Sequence, residues 1–149
     1  MALAFSLTAD RLIELFEQTF YPVYNTRLAH AKSDPEYLPA DNAVEFHRIC
    51  FAHGYVASAL HEIAHWCVAG EARRQLADFG YWYAPDGRNE QQQQQFLQVE
   101  VKPQALEWMF SVACGKPFRV SSDNLNGAET STVQFEADVS AQAQHWCEQ

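Results

Sequence analysis

Two imidazoles and a carboxylate stand close together at His61, Glu62 and His65, in the order His-Glu-x-x-His. On a helix, residues four apart point the same way, so the two histidines can share one ion while Glu62 sits about 100° round the axis. Such a pair needs a third protein ligand. Two nitrogens and one carboxylate oxygen then leave coordination positions open for chemistry. Glu71, Asp78 and Glu100 are the downstream carboxylates to weigh. Glu100, on a later helix able to fold back against the first, is favoured, and Asp78 is the runner-up. The donor set suits a catalytic zinc or a non-haem ferrous site, and geometry alone does not choose between them. With zinc, Glu62 becomes the general base of a metallopeptidase-type hydrolase, and a strand over residues 45–53 holds a peptide by edge pairing.

The motif needs a rigid carrier, and the flanking sequence supplies one. Residues 45–53 alternate as a strand that ends at Gly54, leaving His53 at its end. Tyr55 to Ala69 follows as a helix with Val56, Leu60, Ile63 and Cys67 on one stripe, and Gly70 offers a left-handed cap. Upstream, residues 8–20 place Leu12, Ile13, Phe16 and Phe20 at helical spacing behind a Thr8 cap. Pro22, Pro35 and Pro39 among Asn and Asp residues make 21–44 a long irregular segment, with Tyr24, Arg27 and Tyr37 covering the core. Downstream, Glu71 to Phe79 reads as a short helix with Leu76 and Phe79 inward, stopped by Gly80.

The aromatic block Tyr81-Trp82-Tyr83 precedes a Pro-Asp-Gly turn and is a candidate pocket wall. Asn89 caps a helix in which the run Gln91 to Gln95 forms a solvated face and Phe96 and Val99 turn inward. Pro103 starts a new or sharply kinked helix with Leu106, Met109, Phe110 and Ala113 inward, and Gly115 stops it. Residues 116–131 are turn-rich, and Thr132 to Cys147 forms a last helix carrying Phe135, Val139 and Trp146. The pattern predicts an α+β fold: a mostly helical single domain over residues 1–149, with a small sheet and a zincin-like metal-binding helix.

Composition narrows the partners. A formal net charge of −9 disfavours nonspecific binding to nucleic-acid phosphates and suits a cationic partner. No apolar run reaches the roughly 20 residues of a membrane helix, and Met1 to Thr8 lacks the features of a signal peptide, so a cytoplasmic location with no membrane association is expected. The cysteines at 50, 67, 114 and 147 form no Cys-x-x-Cys pair, and free thiols are expected. No glycine pattern marks a nucleotide site.

Several longer stretches go beyond the bare motif: Tyr-Leu-Pro-Ala-Asp (37–41), Arg-Ile-Cys-Phe-Ala-His-Gly (48–54), His-Glu-Ile-Ala-His-Trp-Cys (61–67), Asp-Phe-Gly-Tyr-Trp-Tyr-Ala-Pro-Asp-Gly-Arg (78–88) and Val-Glu-Val-Lys-Pro-Gln-Ala-Leu (99–106). Together, from about residue 10 to 145, they closely resemble the elongation factor P hydroxylase family. The resemblance implies a metal-dependent hydroxylase acting on the lysine at the tip of elongation factor P, after that lysine has received a lysyl group. Carried onto this chain, it makes His61, His65 and Glu100 the ligands. The expected reading is an Fe(II)-dependent monooxygenase using dioxygen, with Zn(II) as the alternative metal. Glu62 then relays protons or holds a water, and His53, Asp78, Tyr81 and Tyr83 orient ligands or line the substrate pocket.

Overall fold

A computed structural model describes residues 7–81, 88–121 and 132–148 of the chain. The fold is α+β and mostly helical, with one small sheet. The chain divides into two compact units, Met1–Gly80 and Tyr81–Gln149, described here in turn. Among the described residues, no helix is long and apolar enough to cross a membrane.

The first unit opens with α1 (Ala9–Tyr24), whose N-cap Thr8 accepts a hydrogen bond from the Arg11 amide. The helix outlasts its predicted end, because Pro22 falls in its last turn, and it stops at Asn25, which takes a left-handed conformation with φ 52°. That turn leads directly into β1 (Thr26–His30), followed by β2 (Glu36–Leu38) and β3 (His47–Phe51). The strand order is β1-β3-β2, with β3 parallel to β1 and antiparallel to β2. Asn25 also stitches the start of β3: its side-chain amide donates to the Glu45 carbonyl, and its own carbonyl accepts from the His47 amide.

Two expectations change here. The 21–44 segment is not irregular throughout, since Thr26 and Leu28 turn inward and recruit β1 to the sheet. And β3 is the central strand, so its two edges are filled and cannot pair with a bound peptide.

After a tight turn in which His53 and Gly54 both have positive φ, α2 runs over Val56–Arg73. It buries Val56, Ala59, Leu60, Ile63, Ala64 and Trp66. Gly70 interrupts it at φ 82°, ψ 169°, a region open essentially to glycine, but the helical chain resumes to Arg73. The unit ends in a short 3-10 turn, Ala77–Gly80, where Phe79 is buried while Leu76, expected inward, is half-exposed.

Tyr37 locks these parts together. Its amide donates to Asp78 Oδ1 at 2.9 Å, its ring stacks on Phe79 at 4.3 Å, and its hydroxyl donates to the Arg74 carbonyl at 2.6 Å.

In the second unit, Asn89 and Gln92 form a capping box that starts α3 (Glu90–Ala113). This helix is continuous through Pro103, correcting the expected break. Pro103 is fully buried, and helical packing on both sides of it overrides the missing hydrogen bond. The glutamine run is not wholly solvated either: Gln93 is buried and accepts a 2.7 Å hydrogen bond from Arg88 Nε, whose guanidinium lies 3.9 Å from the centre of the Phe96 ring. Ala113, expected inward, is exposed near the helix end.

Residues 116–121 return along α3, with Phe118 stacked on Trp108. The last helix, α4 (Thr132–Cys147), inserts Phe135 and Val139 into a core with Phe96, Leu97 and Ala105, and Trp146 covers its edge. All four cysteines are free.

Burial, opposed only in part by the Arg74 charge, pushes the Tyr37 hydroxyl up to about 12 from its usual value near 10. An unfolded tyrosine ionises first as pH rises, so the folded state should lose stability progressively between about pH 10 and 12. Tyr37→Phe should flatten that part of the urea-denaturation profile relative to wild type, while losing about 1 kcal/mol at neutral pH with its hydrogen bond.

Candidate metal centre

The orientation of the motif is set from behind. Trp66 is 2% exposed, and Phe16, Phe20 and Tyr24, successive members of one stripe on α1, meet its indole edge-on at 5.4, 5.3 and 5.3 Å. With Trp66 turned into that aromatic cluster, the helical rotation of α2 is fixed: His65 lies about 100° round the axis from it, Glu62, four residues earlier, lies near the Trp66 face, and all three motif residues are half-buried. The two imidazoles lie 4.8 Å apart, centroid to centroid, at 67° to each other, as one helical turn of separation requires.

Glu100 is carried by α3 and is only 3% exposed. A buried carboxylate needs compensation. Part of it comes from Gln104 one turn on, whose amide nitrogen donates to Glu100 Oε1 at 3.2 Å. Gln104 is itself fixed by the 116–121 segment: it donates to the Ser121 carbonyl at 2.8 Å and accepts from the Ser121 amide at 3.0 Å. Both ends of the Gln104 amide are thus used, and the Glu100 carboxylate is held in one orientation.

His61 and His65, on α2 of the first unit, and Glu100, on α3 of the second, each offer one ligand atom. Two neutral nitrogens and one carboxylate make a chemically sound set for a divalent transition metal, with positions left for exogenous ligands.

The other candidates stand apart from that group. Asp78 is exposed, and its carboxylate is occupied by the Tyr37 amide. His53 is exposed in its positive-φ turn, its ring 6.1 Å from that of Tyr55. Tyr81 is half-buried, whereas Trp82 and Tyr83 lie outside the described residues. Sequence reasoning missed Gln104 as the support for Glu100; its position four residues on, one helical turn away, was the available signal.

Comparison with known proteins places the chain in a family. A family model described as elongation factor P hydroxylase matches residues 15–149. The chain belongs to that family. A relative from Haemophilus influenzae, an elongation factor P lysine hydroxylase, is 51% identical over 139 residues, spanning 93% of this chain and 78% of the relative.

Two substitutions test the ligand set. Gln104→Leu should weaken metal binding roughly 10- to 100-fold, as loss of the partner that orients a ligand typically does, with little change in far-UV circular dichroism. Asp78→Ala should lower the denaturation midpoint yet keep full metal stoichiometry, whereas Glu100→Ala should lose the metal; the reverse result would move the third ligand to Asp78.

Proposed function

We propose that this family member is a metal-dependent hydroxylase of elongation factor P, acting on its lysylated lysine side chain in the cytoplasm, with Fe(II) held by His61, His65 and Glu100. The observation that carries this reading is a chain of this family that sets two imidazoles one turn apart on α2 and buries the Glu100 carboxylate on α3. Ferrous iron in such a site supplies activation of dioxygen for insertion into a C–H bond. The overall reaction puts one oxygen atom into the lysine side chain, reduces the other to water, and takes two electrons and two protons from a donor.

The chain's own residues have three tasks. Glu62, beside His61 on α2, moves or holds a proton at the open side of the site. Gln104 keeps the Glu100 carboxylate from rotating. The net charge of −9 favours approach of a cationic, lysine-bearing substrate and raises its encounter rate at low salt.

The zinc-hydrolase alternative, with Glu62 as base, has lost the strand it relied on, since β3 is paired along both edges.

Anaerobically purified protein, stripped with a chelator and reloaded separately with Fe(II) or Zn(II), tests the proposal. With Fe(II), dioxygen and a reductant, lysylated elongation factor P should gain the mass of one oxygen atom. Glu62→Gln should keep the iron and lower turnover at least tenfold, in line with loss of a general acid–base group. Tight zinc together with peptide cleavage that Glu62→Gln abolishes would overturn it.

A further inference from the structure

The first unit contains a concavity of about 420 Å³ walled by Tyr24, Thr26, Tyr37, His47, Trp66 and Arg74, among others. His61, Glu62 and His65 are not among its walls. We propose that this cavity binds a small organic carboxylate, gripped by the Arg74 guanidinium and the His47 ring N–H.

Arg74 is the first argument. Its Nε donates to the Trp66 carbonyl at 2.8 Å and its Nη2 to the Cys67 carbonyl at 3.3 Å, while its guanidinium carbon sits 4.1 Å from the centre of the Trp66 ring and 5.6 Å from that of Tyr24. These contacts fix the plane of the group at the wall of the cavity. Nη1 meets no acceptor among the described residues, and no described carboxylate comes within ion-pairing distance. Glu71, on the same wall and the same helix, does not pair with it. A half-buried cation left unpaired in a chain of net charge −9 is a preorganised anion site, and the planar guanidinium fork matches the two oxygens of a carboxylate.

His47 is the second. Its Nδ1 accepts the Ala40 amide at 2.9 Å, so the neutral ring carries its proton on Nε2. Burial holds its pKa below the usual histidine value, which keeps that tautomer in place at neutral pH. The ring is further set by stacking on Tyr37, itself anchored at both ends.

Tyr24, Tyr37 and Trp66 give the cavity aromatic walls suited to the apolar body of a ligand whose charged end meets Arg74, and Val23, Thr26, Glu71 and Gln75 complete the lining. A cationic ligand would instead face the Arg74 charge at contact range.

Benzoate is the probe, titrated into the full chain and followed by ¹H–¹⁵N correlation spectra. Saturable shifts of the Arg74 Nε–H and the Trp66 indole N–H are expected, with none from benzylamine. The indole N–H finds no acceptor among the described residues, so its resonance should respond to any nearby change. Arg74→Gln should weaken benzoate binding at least tenfold, with Arg74→Lys intermediate. Metal content at His61 and His65 should be the same with and without benzoate, which keeps this test separate from the metal-site reading. Absence of saturable shifts at tens of millimolar, shifts centred elsewhere, or equal binding of benzylamine would overturn the proposal. If Arg74→Gln does not fold, the wild-type shifts and the benzylamine comparison decide.

Discussion

The burial of Trp66 is the constraint from which the arrangement of the motif follows. An indole with three aromatic rings packed edge-on against it, and a guanidinium stacked on its face, cannot rotate without breaking the core of the first unit. Because it immediately follows His65, its placement sets the angular position of both histidines. The two histidines therefore take their angular positions from an apolar contact made by a neighbouring residue of their own helix. This is a common economy in metal sites: the scaffold spends its rigidity where packing is dense, and the ligands inherit it.

Glu100 is oriented differently. No aromatic wedge holds it; a hydrogen-bonded chain does, from Ser121 through Gln104 to the carboxylate. A neutral donor on one oxygen leaves the carboxylate its negative charge, the condition an anionic ligand would have to meet. The two supports have different sensitivities. Packing around Trp66 is insensitive to pH and salt, whereas the Gln104 network depends on the 116–121 segment staying docked along α3.

Much of this was legible in the residues. The stripe Val56, Leu60 and Ile63 announced the carrier helix, and the spacing of His61 and His65 set both imidazoles one turn apart on it. The parts that were not legible share a cause. β1 and β2 have five and three residues, too short for periodicity to outweigh the prolines around them, and long-range contacts, pairing with β3 foremost, stabilise them. The continuity of α3 through Pro103, and the inward turn of Gln93, depend on burial and on Arg88, which no local rule encodes. Gly70, expected as the C-cap that ends the helix, does take positive φ, but with an extended ψ, and the helix runs on past it to Arg73.

Asp78 shows how an exposed acid can matter without touching chemistry. Tyr37 sits opposite Ile49 in the ladder, and its amide points away from β3 to the open side of β2, where Asp78 accepts it. Asp78 and Phe79 both adopt left-handed backbone, which brings that carboxylate to the sheet margin. The sheet's short outer strand is thus closed by a negative charge at the point where another chain's backbone would dock. This unit carries a built-in guard against strand addition between molecules, and self-association is the hazard that a single side chain holds off.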